Sequence, residues 1–365
     1  MKTRYEVLDG LRGTAALSVV ALHLCEVFRP SAAANPMHHA YLAVDFFYML
    51  SGFVMGHAYD ARWDRMTVRS FFAKRLQRLH PLVVLGVVLG LHGYLIERIW
   101  LQGGGIAPLL VIANLGLALL LLPAPSLPGH EGQTYSLDGP SWSLGQEYLA
   151  NIAYALAGRR LGLRALTALV AITGVGLAVM GAARGALHVG WTWETIWLSP
   201  LRTAFPFFAG LLLQRSGLRL PVRMGFVGLS LALLAAFMAP QLQGAANGLF
   251  EAALVIGVFP LLIAAGAAAP ATGRSARLCR LAGELSYPLY IVHYPLVRLY
   301  AAWVWSHQAP HWAELAAGAA LALCLPFAAW AALRLYDEPL RAWLSRGRAT
   351  DAGASPQVAP TASPG

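Results

Sequence analysis

Arg12 and His23 lie eleven positions apart in the first apolar segment of the chain. On an α-helix this spacing is roughly 20° more than three full turns, so both side chains project from one face, about 16 Å apart along the axis. An imidazole is well suited to take a proton near neutral pH, and a guanidinium binds phosphate oxygens. The pair therefore indicates general-base chemistry beside an anion site. The alternatives are an arginine that snorkels to the interface and a histidine bonded within the core.

Two carboxylates in other apolar segments are candidates to assist His23. Glu147, in the stretch SWSLGQE, lies about one and a half turns into an apolar run, where an ionised group costs about 2.5–3.5 kcal/mol to insert. Asp45, in the stretch VDFFYMLSGFVM, stands near one end of its run and could instead cap a helix N-terminus. Either carboxylate could orient the imidazole or stabilise its protonated form.

Two further groups of residues extend this candidate site. Arg75 and Arg78 lie in the basic stretch KRLQRLHP, which fits either a cytoplasmic loop or a site for a phosphorylated cytosolic ligand. Tyr287, Tyr290 and His293 follow one another at i, i+3 and i+6, so they share a helix face. That face could line a polar substrate pocket, or it could pack with its hydroxyls bonded internally.

The composition decides what kind of fold must position these residues. Of the 365 residues, 58% are hydrophobic and 12% are charged, about half the charge of a typical soluble domain. This excludes a soluble globular enzyme, a disordered chain and a secreted disulfide scaffold. The net charge of +10 lies in short segments between apolar runs, which is typical of cytoplasmic loops and calls for no nucleic-acid partner. The three cysteines are far apart and form no CxxC pair, so we expect no metal site.

The apolar runs predict an all-α, polytopic bundle of membrane helices. Eleven runs of 16 to 22 residues are close to the ~20 residues that span a bilayer. They cover 11–28, 41–59, 81–101, 106–122, 142–158, 163–182, 198–214, 224–239, 249–269, 284–305 and 312–333. Charges within the first run favour a retained helix over a cleaved signal peptide.

The distribution of basic residues sets the expected topology. The basic loops are the N-terminus, 60–80, 159–164, 215–223, 274–280 and the C-terminus. Placing all of them in the cytoplasm requires that residues 81–122 cross the membrane once in net terms. We therefore predict ten net crossings with both termini cytoplasmic, and either 81–101 or 106–122 as a re-entrant or interfacial helix.

The chain is expected to contain one domain. A membrane domain covers residues 1–348, and residues 349–365 form a tail rich in Pro, Ala and Ser that we predict to be disordered.

Six segments together resemble acyltransferase family 3, the integral membrane O-acyltransferases of bacteria. The hallmark of that family is an arginine, ten residues and a histidine in the first helix, and Arg12 and His23 match it. The matching segments run in order from residue 8 to residue 341: LDGLRG, VDFFYMLSGF, RLQRLHP, SWSLGQE, LSYPLYIVHYP and YDEPLR.

This resemblance implies a multi-pass protein of the bacterial inner membrane. It would transfer an acyl group, with acetyl expected, from cytosolic acyl-CoA to a hydroxyl of a carbohydrate or other extracytoplasmic acceptor. His23 is the expected general base. Arg12, Arg75 and Arg78 are expected to bind the phosphates of acyl-CoA, which acts as a substrate, so no permanently bound cofactor is expected.

Two other classes of protein fit part of the pattern. A transporter or flippase for a glycan or lipid precursor would also use intramembrane charges and helices broken at prolines such as Pro206, Pro260 and Pro295. A non-catalytic scaffold would not explain why Arg12, His23 and Glu147 carry an insertion penalty.

Overall fold

The computed structural model describes residues 4–28, 35–307 and 309–353, and this part of the chain folds into helices without a β-strand. A single isolated β-bridge joins Gln133 and Thr192 within the same ranges. The α-helices of the described residues are α1 Glu6–Phe28, α2 Ala43–Tyr59, α3 Val68–Leu95, α4 Pro108–Leu119, α5 Ser141–Leu156, α6 Leu163–Arg184, α7 Ser199–Ser216, α8 Phe226–Phe237, α9 Gly244–Ala253, α10 Phe259–Ala268, α11 Gly273–Ser306, α12 His311–Ala331 and α13 Glu338–Gly353.

Three wider π-helical segments continue some of these helices. Ile96–Leu101 extends α3, Leu254–Val258 joins α9 to α10, and Ala332–Asp337 joins α12 to α13. The start of α3 is fixed locally, because the Thr67 hydroxyl accepts a hydrogen bond from the backbone N–H of Ser70 at 3.1 Å.

Six segments of the described chain are long and apolar enough to cross a membrane. They are Glu6–Phe28, Val68–Leu101, Leu163–Arg184, Ile196–Ser216, Gly244–Ala268 and His311–Arg346. Large apolar side chains such as Leu109, Ile172 and Phe327 point outward, as lipid-facing residues do. The predicted architecture of a helical membrane protein is confirmed at this level, while the number of crossings and the side of the termini stay predictions.

Two apolar helices are shorter than a span. α4 and α8 each have 12 residues, a length of about 18 Å against the ~30 Å of a hydrocarbon core. The run 106–122 therefore contains only a short helix, whereas 81–101 belongs to a long one. At the other end, α13 reaches Gly353, and the rest of the predicted disordered tail lies outside the described residues.

Glycines bring several pairs of helices into close contact, and α2 with α7 is one of them. A Cβ atom at Gly52 of α2 would lie 1.8 Å from the carbonyl oxygen of Phe207 in α7, and one at Gly210 would lie 1.9 Å from that of Met49. Only glycine permits this approach, which is a common device between membrane helices. It fixes α2 and α7 against each other.

Glycines also bring α1 close to α11. A Cβ atom at Gly13 would lie 2.5 Å from the Cβ of Ala282, and one at Gly283 would lie 2.7 Å from the Cβ of Asp9. This packing brings Arg12 within reach of α11, where its guanidinium donates to the carbonyl of Gly283 at 2.5 Å and to the Ser286 hydroxyl at 2.8 Å.

Candidate active site

Two cavities among the described helices contain most of the predicted site residues, whereas Asp45 and His293 line neither of them. The larger one, of about 780 Å³, contains five arginine side chains, and we call it the arginine cavity. These are Arg4, Arg12, Arg75, Arg78 and Arg341. The smaller one, of about 360 Å³, contains the imidazole of His23, and we call it the histidine cavity. Two residues line both cavities, Val44 and Tyr290, so the cavities adjoin.

Most arginines of the arginine cavity are held by carboxylates. Arg75 donates to Glu147 at 2.6 Å, and Ser51 donates to the same carboxylate oxygen at 3.0 Å. Arg4 pairs with Asp9 at 2.8 Å. These pairs neutralise much of the local positive charge and fix the direction of each guanidinium.

Arg78 differs from its neighbours in the arginine cavity. Its side chain is exposed, and within the described ranges it makes neither a hydrogen bond nor an ion pair. It stands three residues after Arg75 on α3, so both side chains lie on one side of that helix. The cavity therefore presents one guanidinium whose donors are available to a bound anion.

In the histidine cavity, His23 and Glu26 form a dyad on α1. Nδ1 of His23 lies 2.7 Å from a carboxylate oxygen of Glu26, one helical turn further along the chain. When Nδ1–H donates to this carboxylate, Nε2 carries the free lone pair and is the basic atom. The imidazole also packs against the edge of Tyr294, with ring centroids 5.3 Å apart.

The two predicted partners of His23 lie elsewhere. Glu147 lines the arginine cavity and binds Arg75, and Asp45 is fully buried against Arg202. The carboxylate that contacts the imidazole is Glu26. Its position three residues after His23 is visible in the sequence, so spacing alone could have identified it.

The three residues predicted to share one face of α11 also lie in different surroundings. The Tyr287 hydroxyl lines the arginine cavity and donates to the carbonyl of Leu79 at 2.7 Å. Tyr290 stands at the junction of the cavities. His293 is buried, its ring stacks on His23 with centroids 5.5 Å apart, and its Nδ1 lies 3.0 Å from the carbonyl of Leu289.

Arg202 of α7 lines the histidine cavity, but its guanidinium is hydrogen-bonded to other groups of the protein. Its Nη2 and Nε donate to Asp45 at 2.6 Å and 3.0 Å, and both side chains are 1% exposed or less. It also donates to the carbonyls of Val189 at 2.8 Å and Tyr41 at 3.2 Å. The fork-shaped pairing joins α2 to α7 beside the cavity wall.

A second arginine of the histidine cavity is anchored in the same way. Arg298 donates to the buried carboxylate of Glu97 at 2.9 Å and lies over the ring of Trp305 at 5.4 Å. Glu97 also contacts His130 at 3.4 Å. Within the described ranges, no three His, Cys, Asp or Glu side chains cluster as metal ligands would.

Sequence comparison shows the family to which the chain belongs. A family described as an acyltransferase domain matches residues 5–331, nearly the whole chain. The chain belongs to acyltransferase family 3. Protein 2 in picA locus, from Rhizobium radiobacter, is 36% identical over 194 residues, which cover 49% of this chain and 95% of that relative. No solved structure matches the chain.

Membership of acyltransferase family 3 makes the chain a multi-pass membrane acyltransferase. An acyl transfer requires a site for the activated donor, a base for the acceptor and a place where the two meet. The arginine cavity, the His23–Glu26 dyad and the junction at Tyr290 supply groups suited to each of these tasks.

Proposed function

We propose that this acyltransferase transfers a short acyl group, acetyl in the first instance, from cytosolic acyl-CoA to a hydroxyl of an extracytoplasmic carbohydrate. The observation that carries the proposal is the path of α1. This one helix contributes Arg12 to the arginine cavity and His23 to the adjoining histidine cavity. A donor bound by its phosphates at one end of α1 can therefore present its acyl group at the other end.

Acyl-CoA fits the arginine cavity in both charge and length. Its phosphates match guanidinium donors, and Arg78 has donors available, while Arg12 and Arg75 stand beside it. An extended pantetheine arm measures on the order of 15–20 Å, by analogy with an extended backbone. This is comparable with the rise of about 16 Å between Arg12 and His23. The basic segment 60–80 contains the start of α3, and by the positive-inside rule we expect the arginine cavity on the cytoplasmic side.

His23 provides the base. Nε2 takes the proton of the acceptor hydroxyl as the oxygen attacks the thioester carbonyl, and the carbon–sulfur bond then breaks. The CoA thiolate leaves and takes the proton from the imidazolium, so the protons balance. Glu26, 2.7 Å from Nδ1, holds the ring and stabilises its protonated form.

The walls of the histidine cavity favour a carbohydrate acceptor. Aromatic side chains form much of the lining and offer flat apolar faces with polar edges, which suit the faces and hydroxyls of a sugar ring. They include Tyr135, Trp142, Trp191, Tyr294 and Trp305. Arg202 and Arg298 are both paired with carboxylates, so the cavity has little positive charge to attract an acidic acceptor.

Acyl transfer can be tested with the purified protein in liposomes. Radiolabelled acetyl-CoA is supplied with a glycan-containing cell-envelope extract, and label transfer and CoA release are measured. We expect His23→Ala to abolish both signals, with a loss of about 10²–10⁴-fold. The matched control is His92→Ala, because His92 is exposed and lines neither cavity. Unchanged activity of His23→Ala would remove His23 from the mechanism, and CoA-independent movement of a glycan would favour a transporter.

A further inference from the structure

Tyr290 occupies the boundary between the two cavities. It lies on α11 between Pro288 and Pro295, and its side chain lines both the arginine cavity and the histidine cavity. Val44 of α2 is the other residue that lines both. Tyr290 is 6% exposed and Val44 is 7% exposed, so both side chains are closely surrounded by other protein atoms.

Hydrogen bonds fix the position of the Tyr290 ring. The Tyr290 hydroxyl lies 2.8 Å from the hydroxyl of Ser143. The carbonyl oxygen of Pro140 lies 2.9 Å from the Ser143 hydroxyl and 3.5 Å from the Tyr290 hydroxyl, so the two hydroxyls share this acceptor and either can donate to the other. The ring is thereby tied to the first turn of α5.

An aromatic contact supports the same ring from α2. Phe47 meets Tyr290 edge to face, with centroids 5.7 Å apart and an interplanar angle of 84°. Tyr290 is therefore held by α5 and α2 together, and moving it would break both contacts. A ring held in this way acts as a wall of fixed position.

We propose that Tyr290 determines the length of the acyl group that this enzyme accepts. The inference rests on the proposed function, in which the acyl group passes from the arginine cavity towards His23. A thioester carbonyl at the junction must place its acyl carbons beside the Tyr290 ring and Val44. An acetyl group adds a single methyl there, whereas a longer chain must displace the ring or occupy the space of the acceptor.

The test measures donor binding and needs no acceptor. CoA, acetyl-CoA, butyryl-CoA and hexanoyl-CoA compete with labelled CoA on the purified full-length protein. In the wild type we expect hexanoyl-CoA to bind at least about tenfold more weakly than acetyl-CoA, with butyryl-CoA between them. Tyr290→Ala is expected to bring the hexanoyl-to-acetyl ratio to within about twofold, and Tyr290→Leu to give an intermediate ratio.

Two controls separate size from hydrogen bonding. Tyr290→Phe keeps the ring and is expected to keep the discrimination. Tyr287→Ala removes a tyrosine one turn away that lines the arginine cavity alone, and it should also keep the ratio. Equal binding of all esters to the wild type, or an unchanged ratio in both Tyr290→Ala and Tyr290→Leu, would overturn the role of Tyr290. Failure of CoA and every ester to bind would instead overturn the proposed donor.

Discussion

Arg202 and Arg78 show how differently one residue type is used in the two cavities. Arg202 is 1% exposed and is held by Asp45 and by backbone carbonyls. Arg78 is exposed and unpaired within the described part of the chain. Both are arginines of membrane helices, so an unfavourable insertion energy alone cannot distinguish them. The partner of each guanidinium distinguishes an arginine that joins helices from one that can bind a ligand.

The largest effect on stability is expected when Arg202 loses its carboxylate partner. Asp45→Asn leaves the charge of Arg202 buried without compensation, which should lower the free energy of unfolding by about 3–5 kcal/mol. Equilibrium unfolding in mixed micelles measures this loss. The double variant Asp45→Asn/Arg202→Met should be more stable than Asp45→Asn alone, because it removes the buried charge. A stable Asp45→Asn protein that lacks only activity would instead give Asp45 a chemical role.

The carboxylates of the two cavities should affect different kinetic constants. Glu26→Ala removes the group that holds the His23 imidazole, so we expect kcat to fall by about a hundredfold with little change in the KM for acyl-CoA. Glu147→Gln alters the partner of Arg75 and should mainly raise the KM for acyl-CoA. Steady-state kinetics on both variants test the contrast. A raised KM in Glu26→Ala together with a lowered kcat in Glu147→Gln would contradict the assignment of the base to the histidine cavity and of donor binding to the arginine cavity.

Removing the unpaired guanidinium should weaken donor binding without unfolding the protein. Arg78→Ala loses a charge-assisted hydrogen bond to phosphate, worth about 1.5–3 kcal/mol, so the KM for acyl-CoA should rise by about ten- to a hundredfold. Lys74→Ala is the matched control, since Lys74 is exposed on the same helix and lines neither cavity. An equal effect of the two variants would mean that general surface charge, rather than Arg78, attracts the donor.

The smallest expected effect is a difference between the two cavities in how strongly substrate binding depends on the salt concentration. The Debye length falls from about 10 Å at 0.1 M to about 3 Å at 1 M ionic strength, which screens exposed charges more than buried pairs. The KM for acyl-CoA should therefore rise several-fold over this range, whereas the KM for a carbohydrate acceptor should change by less than about twofold. Equal salt dependence of both constants would show that charge attracts both substrates.

The sequence predicted the helical segments better than it predicted which helices contact each other. The apolar runs indicated a helical membrane protein, and the spacing of Arg12 and His23 predicted one shared helix, which is α1. Local spacing also contained the contact between His23 and Glu26. Periodicity and composition are properties of a single segment, and they could be evaluated without knowing its neighbours.

Contacts between distant segments were not predictable in this way. Glu147 meets Arg75 from 72 positions away, and Asp45 meets Arg202 from 157 positions away. Nothing local to Asp45 indicates that its partner lies on α7, because the glycine contact between α2 and α7 determines this. The shortness of α4 was likewise hidden, since residues 106–122 are apolar beyond the 12 that are helical.

The continuous helix of α1 places a strict limit on how this protein can change in evolution. Inserting one residue between Arg12 and His23 would lengthen the helix by only about 1.5 Å, but it would turn the imidazole by about 100° away from its cavity. Inserting seven residues would nearly restore the direction, yet it would carry the imidazole about 10 Å too far. A substitution at an exposed position of this helix, such as Leu17, is therefore easier to accommodate than a change in its length.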